Sequence, residues 1–255
     1  FYDSANSSRE FADLGDVQSV GDYLAVGAPY WNNGVSNQVT GRIYMFRNVN
    51  GVWKNDYITD GTSEYIDIPE ISYAASNTAD DNYSREFGAR IAMNKNYLVA
   101  SREVDPSGDR IFIYKRNNKG KYDYVKDISD SVYRKSRQAN QAVGCFGSYI
   151  SMNEEYLLVS DVTGRHNTLN HVSGYVSVYK IDNGNFVFED RLFPENTSTS
   201  ENRFGIHHIV TDKYIFIAHS RARENDLTRS AIQIYKKIDN KWKFVKKVFL
   251  DFNES

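Results

Sequence analysis

The most constraining feature of this 255-residue chain is a Phe-Gly pair that recurs with a tyrosine ten positions behind the phenylalanine. Phe87-Gly88 leads to Tyr97, Phe146-Gly147 to Tyr156 and Phe204-Gly205 to Tyr214. Each tyrosine opens an apolar run: Tyr97-Leu98-Val99-Ala100, Tyr156-Leu157-Leu158-Val159 and Tyr214-Ile215-Phe216-Ile217. A degenerate first copy runs from Leu14-Gly15 to Tyr23-Leu24-Ala25-Val26, one residue shorter. Self-similarity at a fixed period is the mark of stacked supersecondary units, none of which can cover its own apolar surface alone.

Every copy continues alike. An alternating strand ends in an aromatic and a base: Ile43 to Arg47, Ile111 to Lys115, Val176 to Lys180 and Ile232 to Lys236. A short turn follows (Asn50-Gly51, Lys119-Gly120, Asn183-Gly184, Asp239-Asn240), and then a strand led by Trp53, Tyr122, Phe186 or Trp242. Asn-Gly between alternating apolar residues is a hairpin signal. Each copy therefore predicts four short strands joined as a meander, with no helical period of comparable strength. The expected fold class is all-β: a β-propeller built of four-stranded antiparallel blades, with four repeats visible at about 11–58, 87–128, 146–192 and 204–250. Residues 1–255 are read as one domain, and Glu64 to Ile71 as one added strand. Stacking the blades would bury each face on its neighbour, with the repeated Phe, Tyr and Trp columns as the inter-blade core.

Composition narrows the function. Lys and Arg number 31 against 33 Asp and Glu, a formal charge of −2, so the chain as a whole lacks the basic footprint of nucleic-acid binding. Its 25% charged and 40% apolar residues argue against wholesale disorder. No apolar run approaches the roughly 18 residues of a transmembrane helix. The chain opens on Phe1-Tyr2-Asp3 with no initiator Met, which reads as a processed or truncated product or a fragment. Cys145 stands alone, so it supports neither an intrachain disulfide nor a cysteine zinc cluster, and reads as a small buried hydrophobe. No catalytic residues are assigned. Gly-x-Ser-x-Gly, P-loop and Rossmann patterns are absent, and His207-His208 lie in an alternating strand that sends neighbours to opposite faces.

The Phe-Gly openings, the Tyr-Leu-Val strands and the intact Gly27-Ala28-Pro29 resemble FG-GAP repeats, which build the β-propeller of integrin α-subunit heads and of many other surface proteins. The resemblance covers about residues 11 to 250. Ser101-Arg102-Glu103, Ser160-Asp161-Val162 and Ala218-His219-Ser220 replace the Gly-Ala-Pro triplet in the later copies. The resemblance implies a propeller that usually has about seven blades, so four repeats fit a small closed ring, a piece of a larger propeller, or pairing with another chain. Many relatives carry an acidic calcium loop between the first two strands. Here those turns are Val20-Gly21-Asp22, Asn94-Lys95-Asn96, Asn153-Glu154-Glu155 and Thr211-Asp212-Lys213. They lack the six or so oxygen ligands that calcium takes, so no metal and no cofactor are expected.

In a meander, turns 1–2 and 3–4 share one end of the blade and connections 2–3 and 4–1 share the other. The first set is tight. The second is long, with 2–3 connections Ala28–Gly41, Arg102–Asp109, Asp161–Gly174 and His219–Ser230. Long connections on a rigid scaffold are where binding residues collect. The expected binding set is Tyr30, Trp31, Arg102, Asp161, His219, Arg221, Arg223 and Arg229, of which Arg102, Asp161 and His219, with Ala28, end the second strands. Arginine with aromatics is an interface composition. The expected function is a non-enzymatic binding or adhesion module that recognises a protein partner through this end. A carbohydrate-binding, lectin-like propeller and a propeller glycosidase or lyase are the alternatives. Sequons at Asn6, Asn82, Asn196 and Asn253 are glycosylation candidates and favour an extracellular or cell-surface setting.

Overall fold

The structure is a computed structural model that describes residues 15–29, 31, 41–55, 65–66, 87–102, 110–129, 146–164, 173–195, 203–224 and 227–250. Seventeen strands occur among them and no helix. The first blade holds β1 (Val17–Val20), β2 (Tyr23–Ala28), β3 (Arg42–Val49), β4 (Val52–Asn55) and β5 (Tyr65–Ile66). The second holds β6 (Phe87–Met93), β7 (Tyr97–Arg102), β8 (Arg110–Arg116) and β9 (Tyr122–Ser129). The third holds β10 (Phe146–Met152), β11 (Tyr156–Asp161), β12 (Tyr175–Asp182) and β13 (Asn185–Leu192). The fourth holds β14 (Phe204–Val210), β15 (Tyr214–Glu224), β16 (Leu227–Ile238) and β17 (Lys241–Phe249). Each is an antiparallel meander in chain order, as the repeats predict.

The constant Phe-to-Tyr spacing has a geometric cause. In the last three blades the first strand shifts register just after its Phe-Gly, as between Phe87↔Arg102 and Ile91↔Ala100. Gly88, Gly147 and Gly205 take φ of +86°, +93° and +89° there, a bulge conformation that glycine adopts without the penalty of a Cβ. The first blade, one residue shorter, pairs β1 with β2 without such a shift. The 1–2 turns are closed by their own side chains. Asn94 Oδ1 accepts from the amides of Asn96 and Tyr97, and Asn153 Oδ1 from those of Glu155 and Tyr156. Thr211 Oγ1 does the same for Tyr214. At the 3–4 turns, Asn50-Gly51, Asn183-Gly184 and Asp239-Asn240 have positive φ at both positions, the pattern of a type I′ hairpin.

One expectation is met and one changes. Within 64–71 the described residues Tyr65–Ile66 form the added strand β5, which pairs with β3 through Ile43↔Ile66 on the edge where β4 pairs further along. The fourth strand of the first blade is thus split in two by the chain between β4 and β5. The connection from His219 to Ser230 is not a loop. After a bulge it continues as a ladder, Ala222↔Arg229 to Glu224↔Leu227. Apolar Ala222 alternates there with Arg221 and Arg223 ahead of Asn225-Asp226, a strand-and-turn pattern hidden by its charge.

The chain divides into two compact units, Phe1–Ser129 and Asp130–Ser255, each containing two blades. In the first unit the blades meet by backbone. Gly41, at φ +72°, pairs with Phe87 in an isolated parallel bridge, and a Cβ there would overlap the Phe87 carbonyl and amide. A Cβ on Gly27 would overlap the Gly88 carbonyl. Phe87 then lies buried with Ala25, Ile43 and Met45 of the first blade and Phe112 and Tyr114 of its own. The second unit repeats the joint. Gly174 abuts Phe204, Gly205 lies against Ser160 and Val176, and the Phe204 amide donates to the Ser173 carbonyl at 3.2 Å.

A second joint lies at the tight-turn end. Arg116 sits 4.6 Å over the Tyr23 ring in the first unit, and Lys237 sits 4.7 Å over Tyr156 in the second. Lys237 Nζ also donates to Tyr156 Oη and to Glu189 Oε1, both at 2.6 Å, while Trp242 packs edge-on to Tyr156 at 5.3 Å. Of the aromatics that lead the fourth strands, Tyr122, Phe186 and Trp242 are buried as expected, but Trp53 is exposed.

The backbone joint gives a test. Gly41→Ala would set a Cβ into Phe87 at a strained φ and should lower unfolding free energy by more than about 2 kcal/mol. Gly21, also at positive φ but with nothing within 4 Å of its added Cβ, should cost only about 1 kcal/mol as Ala. Urea melts of the two variants give the comparison; equal losses would mean that the joint carries no energy.

Candidate binding surface at the long-loop end

One position recurs in the second strand of each blade. Ala28, Arg102 and Asp161 end their strands and pair with the first residues of the third strands, Arg42, Arg110 and Tyr175, while His219 pairs with Ala231 inside the longer β15–β16 hairpin. Arg102, Asp161 and His219 also face the Phe87, Phe146 and Phe204 positions across the first ladder. All four are buried. The three polar ones sit at a position that in the first blade takes alanine, and two of them have internal partners in view.

Asp161 holds the connection that follows it. Its Oδ1 accepts from the Thr163 amide and hydroxyl at 3.0 and 3.1 Å, and its Oδ2 accepts from the Tyr175 hydroxyl at 3.3 Å. The Tyr175 ring has Arg191 stacked on it at 4.3 Å, and a Cβ on Gly164 would collide with that ring. In the second blade Arg110 pairs with Asp127 at 2.7 Å, and Tyr124 donates to the other oxygen of Asp127. Burial first, and then the bond to Asp127, push the Tyr124 phenol up to about 12.

His219 belongs to a buried amide network. Gln233 Oε1 accepts from the Glu195 amide at 3.0 Å, which turns the Gln233 amide nitrogen toward His219 Nδ1 at 3.1 Å. Nδ1 is then the acceptor and the ring proton sits on Nε2. Tyr235 Oη donates to the Phe193 carbonyl at 2.7 Å beside it. Burial, aided by nearby Lys247, holds His219 down to about 4. Further along β14, His208 lies between the third and fourth blades with its Nδ1 2.6 Å from Ser151 Oγ. Burial is the main cause that lowers it to about 3; the Tyr149 backbone opposes the shift and His207 adds to it. The sequence placed His219 at this end as a binding residue, not as a buried one, and gave His208 no role. The available signal was a polar residue where the strand pattern calls for an apolar one, as with Gln233 between Ile232 and Ile234.

Trp31 is half-buried, with the Arg42 guanidinium 3.3 Å from its ring centroid. Backbone bonds from the Trp31 amide to Ala28 and from the Gly41 amide to Trp31 hold it there. Arg42 is itself buried, so Trp31 is a platform anchored from below, its position fixed by the strand ends. Arg229 is half-buried in β16, and the backbones of Arg221 and Arg223 lie in β15. Tyr30 and the sequons at Asn6, Asn82, Asn196 and Asn253 lie outside the described residues, as does Cys145. The first unit thus holds Trp31 on Arg42, and the second unit, taken by itself, holds Asp161 with Tyr175 and His219 with Gln233.

Among the described residues no three His, Cys, Asp or Glu side chains gather as a metal site. The 1–2 turns at Asn94, Asn153 and Thr211 spend their side-chain oxygens on their own amides.

Two outcomes follow for this end and its turns. The histidines are neutral in the fold but protonate near pH 6.5 when unfolded, so unfolding takes up protons below that pH. Stability should therefore fall as pH drops from about 6.5 toward 4, by up to roughly 1.4 kcal/mol per pH unit for each histidine. His208→Gln with His219→Gln should flatten that slope in melts between pH 4 and 7, whatever the change at pH 7. Chelation is the second check: EDTA should leave the melting temperature within a degree or so, whereas loss of a bound ion would lower it by several.

No known family profile and no curated protein matches this chain. Among solved structures, a chain from the S. cerevisiae assembly of Dbp5 bound to Nup159, Gle1, IP6 and ADP aligns with 94% of this chain at 9% identity and a TM-score of 0.43. This chain covers 55% of that one.

Proposed function

We propose that this chain is a non-enzymatic binding module of the FG-GAP type that engages a protein partner through the long-loop end of its blades, outside the cell or on its surface. The observation that carries the proposal is the anchoring of Trp31 on buried Arg42, at a strand end that the Gly41–Phe87 bridge makes rigid. A half-buried indole whose position is fixed before binding loses little entropy on contact, which is the usual character of an interface anchor. The corresponding 2–3 connections of the other blades supply arginines, which pair bidentately with carboxylates. The buried Asp161 and His219 clusters support the same end by tying connections to strands, not by offering chemistry to a substrate. The four sequons support the extracellular setting.

The test is capture of partners from intact cell surfaces by immobilised protein, with chemical cross-linking. Trp31→Ala should weaken capture by about 1–3 kcal/mol, or roughly 5- to 150-fold, with an unchanged melting profile. A glycan sequon placed in the Asn183-Gly184 turn, at the opposite end, should leave capture intact. Loss of capture on that insertion with no effect of Trp31→Ala would reverse the assignment. Binding to a glycan array in place of any protein would move the reading to a lectin.

A further inference from the structure

We propose that the outer face of the fourth blade is a docking surface for the first blade of a second copy of this chain. Within each unit, one blade offers a receiving face and the next applies an inserting face. In the second unit the receiving face is Tyr156, Leu158, Val176 and Val178 of the third blade, all buried. In the first unit the inserting face includes Ile91, Leu98 and Tyr122 of the second blade, likewise buried.

The strand register carries the receiving positions onto the fourth blade. They fall on Tyr214, Phe216, Ile232 and Ile234, joined by Ile209 through the row Ile209–Phe216–Ile234. There the four are only half-buried, and Ile209, at the position that Ser151 holds on the third blade, is 63% exposed. The inserting positions on the first blade show the complementary exposure. Val17 is 51% exposed where the second blade buries Ile91, and Trp53 is 46% exposed where it buries Tyr122. The known joint in the second unit brings Ser151 against His208 and Tyr156 against Trp242. The same correspondences set Ile209 against Val17 and Tyr214 against Trp53 of the second copy.

The fourth blade is basic: residues 203–250 contain eleven Lys and Arg against four Asp and Glu. As sequence, residues 1–86 carry the opposite balance, five against thirteen, with eleven of the thirteen acids outside the described residues. On the receiving face Lys236 and Lys243 oppose each other directly across strands, an arrangement that costs stability unless an anion approaches. Lys236 and Lys246 are exposed and form no ion pair among the described residues. Because the two faces differ, the contact is heterologous, and repeated contacts either close a ring or run on.

Sedimentation velocity over a concentration series tests this. Wild-type protein should shift from monomer toward larger species between about 1 and 100 µM at low salt, and less so at high salt, since screening shortens the reach of the charges. Ile209→Asp removes the receiving face and Trp53→Asp the inserting face, so each alone should stay monomeric, while their equimolar mixture should form a dimer and stop there. Should either aspartate variant fail to fold, Lys236→Glu with Lys246→Glu, on exposed side chains, should weaken association about tenfold at low salt only. A wild type that remains monomeric throughout, or an Ile209→Asp protein that associates like wild type, overturns the proposal.

Discussion

The contact on which the blade pairs depend is backbone against backbone: the Phe-Gly of one blade lies directly on the glycine that starts the third strand of the blade before it. At Gly41 and Gly174 there is no room for a methyl group, because the next blade's phenylalanine main chain occupies the space. That approach brings the phenylalanine ring into the shared core and fixes where the first strand begins. The bulge at the following glycine then sets the strand onto its own neighbour. Side-chain packing completes the joint, with the Tyr23 and Tyr156 rings under a cation at the far end. Two contacts at opposite ends of a sheet fix its orientation more firmly than either could alone.

Much of this was legible because it is periodic. A ten-residue spacing that holds three times reflects one bulge and one side-chain-closed turn repeated, so a reader of the sequence sees the strand geometry indirectly through Phe87, Tyr97 and their counterparts. The turns were equally plain, since Asn50-Gly51 and Asn183-Gly184 adopt backbone angles that few other residues tolerate. What escaped was aperiodic. The added strand at Tyr65–Ile66 was legible, but not its place on the β3 edge beyond the end of β4, which splits the first blade's fourth strand. The hairpin beyond His219 was masked by its own arginines, whose charge resembles a loop although their alternation with Ala222 is that of a strand.

The candidate site was legible in position and not in state. Chain order alone placed Arg102, Asp161 and His219 at second-strand ends; Arg102 and Asp161 end their strands, whereas His219 lies inside β15, which runs on to Glu224. Their burial could not be read from composition, because a charged residue next to a long connection usually faces water. It follows from the ladder: each lies opposite a phenylalanine that is drawn into the core, so it is drawn in with its partner. Asp161 then turns to Thr163 and Tyr175, and His219 to Gln233, for the hydrogen bonds that water would otherwise supply.

The order of plug and socket along the chain has a consequence for how the protein is made. In both units the glycine that receives, Gly41 or Gly174, precedes the phenylalanine that docks, Phe87 or Phe204. During synthesis from the amino terminus, the acceptor blade therefore leaves the ribosome before the segment that fills it. Each blade pairs strands that are neighbours in the chain, with tight 1–2 and 3–4 turns, so its contacts are local and form without distant partners. A nascent blade can thus organise by itself and wait only for the next Phe-Gly to emerge, so that its apolar face is exposed for the time needed to add one repeat.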